Sequence, residues 1–317
     1  MRCLALAQAW QDAGGKVVFA LAKSTPAIMA RLVAENCEVV SVPVCSNGAD
    51  DASCTSEFAR ARRADWIVLD GCHFDAHHQE RIKNSGRKVL CVDDGINERP
   101  CADLVLNQNV NATESLYRDR EPSTRLLLGP QHVLLRREFA KWRDWSRQIG
   151  PQARTALVTI GGSDPDGLTL KLLQSREFAD LDVTFVLGGS AHEPPHVKPS
   201  PGIEISRDVA DIAPIMARSD VAVICGGGTL WECLFMGCAA LSYTRNAIQD
   251  EIVNQLQEIG AVCHMGPIEA FERSSLLAKL AEIASSSSKR RLTSQLGRQL
   301  VDGRGCERVL AAMREVN

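Results

Sequence analysis

Three glycine-rich stretches carry the chemistry most visible in this sequence: VTIGGSDPDG (158–167), VLGGSA (186–191) and ICGGGTLWE (224–232). Each follows an apolar run of strand type. Glycine lets a backbone come close to a ligand, and the helix N-terminus beyond such a turn offers unpaired N–H groups to a phosphate. One stretch alone is accounted for by a tight strand-to-helix turn. Three on one expected sheet edge point to a phosphate site. Gly162 to Gly167 have P-loop spacing, but Leu168-Thr169 stands where Lys-Ser/Thr is required, and no G-x-G-x-x-G follows a strand. A nucleotide held by backbone and helix dipoles is left. No D-x-D pair is read beside the turns, so binding is expected to need no metal.

Glu232 comes three residues after Thr229. That spacing suits a carboxylate accepting hydrogen bonds from ribose hydroxyls, and equally a capping box in which Thr229 and Glu232 close the helix start. On spacing alone the two readings stand level. In the first half, VLDGCHFDAHHQ (68–79) ends an apolar strand at Asp70 and follows it with His73, Asp75, His77 and His78. A strand's C-terminal end is where α/β proteins place clefts, and a carboxylate with an imidazole can handle protons there. A metal site would need ligands from one short turn to converge; a surface loop is the commoner outcome.

The elements that must position these residues alternate along the chain. Strand patterns are read at 17–21, 38–42, 66–70, 89–93 and 104–106, then at 156–160, 183–187, 203–205, 221–225 and 239–243. Helices are read at Pro26 and around His78, and terminal helices over 267–317, broken by a flexible Ser285 to Ser288. Short Val, Ile and Leu runs between helices predict α/β architecture with parallel sheets covered on both faces. The polar stretch REFAKWRDWSRQIGPQAR (137–154) separates a domain at 1–150 from one at 151–317. Leu4, Ala7 and Trp10 recur at helical spacing before Gly14 and Gly15, so the chain opens inside a helix. In a doubly wound domain the first strand lies mid-sheet and its turn feeds the first helix. The expectation is that this strand and turn are lacking here.

With 317 residues, 45% hydrophobic and 24% charged, the chain reads as a globular protein of two domains. A net charge of −3 argues against nucleic acid as a partner. Lys289-Arg290-Arg291, with Arg298, reads as a solvated helix face. None of the twelve cysteines is spaced C-x-x-C, and Cys91 and Cys225 sit in apolar strands, which implies a reducing cytoplasm rather than disulfides. No signal peptide is read, and no run approaches the ~18 apolar residues of a membrane span.

The segments MRCLALAQAW, VLDGCHFD, CVDDGINERPCADLVLNQN, LLGPQHVLLRREF, VTIGGSDPDG, GGGTLWECLFMG and VDGRGCERV occur in this order. Together they resemble the PseG/SpsG family of nucleotide-sugar hydrolases, whose best-known activity is UDP-2,4-diacetamido-2,4,6-trideoxy-β-L-altropyranose hydrolysis in pseudaminic acid biosynthesis. The resemblance implies a GT-B-like fold, related to MurG, of two Rossmann-like domains facing a cleft. It also implies inverting hydrolysis of a UDP-sugar at the anomeric carbon, without metal or cofactor. Gly162, Ser163, Asp164, Gly227, Gly228 and Thr229 would surround the pyrophosphate. Glu232 would hold the ribose, the backbone at Arg207 and Val209 the uracil, and Arg2 and Gln249 further parts of the substrate. Asp70 and His73 would be catalytic on the sugar side.

Three departures stand out. The family's opening strand and G-x-G-H turn, whose His the resemblance implies as general base or water-orienting group, are not in this sequence, so little hydrolase activity is expected of it. Cys72 replaces a Tyr, and Ile248-Gln249 replaces an Asn-Gln pair. A glycosyltransferase using the same UDP-sugar, or a non-catalytic nucleotide-sugar binder, stays open beside the hydrolase.

Overall fold

The apolar runs become parallel strands in the computed structural model, which describes residues 1–42, 48–71, 73–95, 99–162, 164–175, 178, 180–191 and 201–316. The chain divides into two units. Met1–Ser24, Leu32–Arg136 and Arg304–Asn317 form the first; Thr25–Arg31 and Arg137–Gly303 form the second.

The first unit begins with α1 (Arg2–Asp12), β1 (Val18–Leu21), α2 (Pro26–Ala34), whose opening turns fall in the second unit, and β2 (Glu38–Ser41). It continues with α3 (Gly48–Ala61), β3 (Trp66–Asp70), α4 (Ala76–Lys83), β4 (Lys88–Val92), β5 (Leu104–Asn107) and β6 (Arg125–Leu128). The strands form two parallel sheets, β1-β2 and β3-β4-β5-β6. Residues 89–92 and 104–106 are at most 2% exposed, as an inner parallel strand must be. Leu90, Val92, Leu104 and Leu106 face Ala5 and Leu6 of α1, while Val89, Cys91 and Val105 face Ala52, Ala59 and Ile82 of α3 and α4. β3 instead alternates, with Ile67 and Leu69 buried and Val68 37% exposed, and among the described residues it pairs only with β4. Leu4 of α1 packs with Leu32, Cys37 and β1, so one helix serves the cores of both sheets.

The second unit runs β7 (Thr155–Thr159), α5 (Leu168–Ser175), β8 (Asp182–Leu187), β9 (Ile203–Arg207), α6 (Ala213–Arg218), β10 (Val221–Cys225), α7 (Gly228–Phe235), β11 (Ala239–Thr244), α8 (Ala247–Ile259) and β12 (Cys263–Pro267). α9 (Arg273–Ser285) and α10 (Ser287–Leu300) follow. Its sheet is wholly parallel in the order β12-β11-β10-β7-β8-β9. Val158, Phe185, Val223 and Leu241 form its core with Leu172, Leu276 and Leu280.

Three expectations need correction. The units change at Arg137 rather than at 150, because the intervening segment is tied to the second unit. Arg147 donates to the carbonyls of Met216 (2.6 Å), Ser219 (2.6 Å) and Met236 (3.1 Å). The last helix, α11 (Gly305–Glu315), belongs to the first unit, where Val309 and Met313 pack on Leu90 and Leu106. The serine run is no flexible interruption either: Ser285 ends α9, and the Ser286 hydroxyl accepts from Lys289 N at 3.3 Å to cap α10.

Nor is Arg290 part of a solvated face. It is 2% exposed and donates to the carbonyls of Ile283 (2.7 Å), Ala284 and Gly150 (2.7 Å). Arg298 likewise binds the carbonyls of Phe235 and Arg143. Arg290→Met keeps the bulk but orphans three carbonyls, and should lower the melting temperature by roughly 5–15 °C. A thermal melt indistinguishable from wild type would contradict this role.

Candidate functional site

In the second unit, three sheet neighbours end side by side. β11, β10 and β7 are adjacent, and the glycine-rich turns lie at the C-terminal ends of β7, β8 and β10. The turns after β7 and β8 touch: a Cβ on Gly188 would fall 2.3 Å from the Gly162 carbonyl oxygen, and Ser190 N donates to that oxygen at 3.1 Å. In contrast, Cβ positions on Gly162, Gly227 and Gly228 would meet nothing within 4 Å. The backbone there borders open space. Helix α7 starts from this rim with Gly227 as its N-cap and no side-chain cap. Thr229 is therefore inside the helix, and the capping-box reading of Thr229 with Glu232 falls; Glu232 is 8% exposed on the same helix. Ser163 and Cys72 lie outside the described residues.

Asp164 does not face this rim with free oxygens. It adopts a left-handed backbone (φ 40°), and its carboxylate accepts from Leu168 N (3.1 Å) and Thr169 N (2.8 Å) at the start of α5. Asp164-Pro165-Asp166 is a D-x-D pair beside a glycine turn, contrary to the sequence reading. Its second partner is Arg245, just past β11. Arg245 Nε donates to Asp166 Oδ2 at 2.8 Å, and its Nη2 lies 3.5 Å from Asp164 Oδ1. Arg245 N donates to Gln249 Oε1 at 3.0 Å, so Gln249 braces this turn from α8. A cavity of about 290 Å³ opens beside it, lined by Thr244, Arg245, Asn246, Asp250 and Glu269 among others. Further along the sheet, Arg207 ends β9 and donates to the Ala191 carbonyl at 3.0 Å, holding the turn after β8; Val209 follows half-buried.

The first unit gathers a second polar cluster. Arg2, at the start of α1, grips Asp70 at the end of β3 through Nη2 (2.7 Å) and Nε (3.1 Å). The same guanidinium binds Asp94, past β4, through Nη1 (2.8 Å) and Nη2 (3.1 Å). Asn109, past β5, donates to Asp94 at 3.0 Å, and the Cys3 thiol to Asp70 at 3.0 Å. Burial pushes the Asp70 carboxyl up, but the hydrogen bonds and charge of Arg2 outweigh it and hold the group below the usual carboxylate range. Burial and Asp70 together push the Cys3 thiol up, so it is a donor and not a nucleophile. Beneath, Asp93 accepts from Tyr117 Oη (2.7 Å) and Gly95 N (2.8 Å), and Asn107 donates to Tyr117 (2.9 Å).

The residues after Asp70 spread apart. His73 is exposed with its ring on Phe74, 4.0 Å between centroids; Asp75 caps α4 by accepting from His78 N at 2.8 Å; His78 is buried. Among the described residues no three His, Cys, Asp or Glu side chains are arranged to hold a metal. Asp94, Asn109 and Arg245 are the additions that sequence reasoning missed. The first two lie within the quoted CVDDGINERPCADLVLNQN, at strand ends where ligands are expected.

No family model matches the chain. It is 28% identical over 205 residues to the spore coat polysaccharide biosynthesis protein SpsG of Bacillus subtilis, covering 61% of this chain and 59% of SpsG. The chain is a homologue of SpsG. It is also 24% identical over 221 residues to the uncharacterised MJ1062 of Methanocaldococcus jannaschii, covering 65% of this chain and 46% of that protein. It thus spans less than two thirds of the length of either relative. Among solved structures it resembles MurG of Acinetobacter baumannii, with TM-score 0.63, 14% identity, and 99% and 95% of the two chains covered. It also resembles a UDP-N-acetylglucosamine 2-epimerase homologue of Listeria monocytogenes, with TM-score 0.65, 14% identity, and 99% and 92% covered. The fold is of GT-B type. No described helix is long and apolar enough to cross a membrane.

Proposed function

We propose that the chain cleaves a nucleoside-diphosphate sugar at its anomeric carbon in polysaccharide biosynthesis, with water as the acceptor. The single observation carrying this is the rim of the second unit's sheet. There, uncovered backbone at Gly162, Gly227 and Gly228 opens beside an uncapped helix start. Backbone N–H groups and the positive end of α7 suit a diphosphate, and Glu232 on α7 suits ribose hydroxyls. The SpsG homology supports the pathway, and the fold is shared with the thymidine-diphosphate-bound glycosyltransferase SsfS6 of Streptomyces sp. SF2575.

In the proposed reaction a water oxygen forms a bond to C1 while the bond from C1 to the diphosphate oxygen breaks. The electron pair of that bond goes to the diphosphate, and the water proton goes to a base. The Asp70–Arg2–Asp94 cluster of the first unit is assigned to the sugar. Asp70, held ionised by Arg2, is a weak proton acceptor and suits the positive charge that builds at C1. His73 is then the proton acceptor among the predicted pair. Uracil is assigned to the backbone around Arg207 and Val209, and UDP is the nucleotide expected.

Transfer of the sugar to an organic acceptor is the second reading, favoured by glycosyltransferases of this fold. UDP release from a UDP-linked diacetamido-trideoxy sugar, followed with and without candidate acceptors, separates the two. Release in buffer alone is the expected result. Release only on adding an acceptor would make the protein a transferase, and UDP binding without release in either case would make it a binder.

A further inference from the structure

The second unit's site carries a D-x-D pair whose two carboxylates are both approached by one arginine. Arg245 leaves the end of β11, yet its guanidinium bonds Asp166 and approaches Asp164 in the turn after β7. The strand order is β11-β10-β7, so the side chain must pass across the end of β10. That end is the Gly226 to Gly228 turn from which α7 starts. Arg245 Nη1 also lies 3.8 Å from where a Cβ on Gly161 would be. The guanidinium thus lies against the turn after β7, whose backbone at Gly162 borders open space.

The anchoring is specific. Asp164 is 5% exposed and is fixed by two backbone N–H groups of α5, which leaves it little freedom to turn toward a solvent cation. The Arg245 main chain is fixed by Gln249, while its side chain is 23% exposed and keeps donors unspent on the open side.

Resting on the proposed nucleotide-sugar reading, we infer that Arg245 takes the place of a divalent cation: it grips the diphosphate and neutralises the charge left there when the bond to C1 breaks. On cleavage the terminal phosphate oxygen keeps the electron pair and gains one negative charge. An arginine is always protonated and presents several donors in a plane, so it can bind phosphate oxygens while one edge stays on Asp166. The pair Asp164 and Asp166 serves as its tether and not as a metal ligand set.

The test is calorimetric titration of the full chain with uridine, UDP and UDP with Mg²⁺, using wild type, Arg245→Ala, Arg245→Lys and the double variant Arg245→Ala/Asp166→Asn. Wild type should bind UDP equally in EDTA and in Mg²⁺. Arg245→Ala should weaken UDP roughly 10- to 100-fold while leaving uridine affinity unchanged, and Arg245→Lys should fall between. Removing the guanidinium frees the D-x-D pair, so Mg²⁺ should recover part of the UDP affinity in Arg245→Ala but not in the double variant. Undiminished UDP affinity in Arg245→Ala overturns the inference while leaving the nucleotide reading intact. Equal losses for uridine and UDP overturn it as a general structural defect. A wild type that binds neither uridine nor UDP overturns the nucleotide reading and this inference with it.

Discussion

Replacing Asp70 with asparagine is expected to cut UDP release roughly 10²- to 10⁴-fold while leaving UDP affinity within about twofold. Asparagine keeps the shape and removes the charge. Asp70 accepts from two Arg2 nitrogens and from Cys3, and Arg2 is held on its far side by Asp94, which Asn109 positions. A carboxylate braced in this way needs no reorganisation when positive charge develops at C1, which is where electrostatic assistance is largest. The sign of its pKa shift sets a second expectation. Burial works against the charge, but Arg2 more than compensates, so Asp70 ionises below the ordinary ~3.9 of an aspartate. Its contribution to the rate is then constant from about pH 5 upward and disappears only in stronger acid. A loss of rate in His73→Ala with unchanged UDP affinity would assign the proton acceptor to His73. An Asp70→Asn enzyme that keeps more than about a tenth of the wild-type rate would remove Asp70 from the catalytic apparatus.

Much of the fold was legible because buried parallel strands announce themselves. Val221–Cys225 and Trp66–Asp70 are bounded as the apolar runs suggest. β6 and β12 escaped notice for different reasons. Arg125–Leu128 is a bare leucine run, which does not separate strand from helix, and Cys263–Pro267 ends in Gly-Pro and has no β-branched residue. In the basic run at 289–291, Lys289 and Arg291 are exposed as read, and only Arg290 misled, because charge was read as exposure. Arg290 is buried since three carbonyls from the segment at 150 and the end of α9 converge on it, a convergence created only by the fold.

The candidate site divides along the same line. The glycines were visible because glycine at strand ends is itself a signal. Asp70 was visible because it ends an apolar run. Its partner Arg2 is 68 residues away and Asp94 is 92 residues from Arg2, so no local spacing links them. The Asp164-Pro165-Asp166 pair is plain in the sequence, but its meaning depends on Arg245, about 80 residues later, approaching both carboxylates. Sequence pattern finds the rim of such a site; which charges oppose one another across it is a property of strand order.

The contrast between two kinds of glycine yields the other large effect. Gly188→Ala should lower the melting temperature of the chain and abolish UDP binding together. Its Cβ would lie 2.3 Å from the oxygen, 2.4 Å from the Cα and 2.5 Å from the carbonyl carbon of Gly162. All three are backbone atoms of a neighbouring turn, so no rotamer change relieves the clash. The turns after β7 and β8 would have to part, breaking the Ser190 to Gly162 hydrogen bond and moving the open rim. Overpacking costs ~1–3 kcal/mol, and backbone against backbone belongs at the upper end, about 6–12 °C for a unit of this size. Gly162→Ala and Gly228→Ala should behave in the opposite way. A methyl at either position meets nothing within 4 Å, and Gly228 lies in the first turn of α7, where alanine is tolerated at least as well. Both variants should melt like wild type and yet lose UDP affinity, because the methyl stands in the space assigned to the diphosphate. Melting curves and calorimetry on the three variants decide the matter. Wild-type stability in Gly188→Ala would refute the contact between the turns, and wild-type UDP affinity in both Gly162→Ala and Gly228→Ala would move the nucleotide away from this rim.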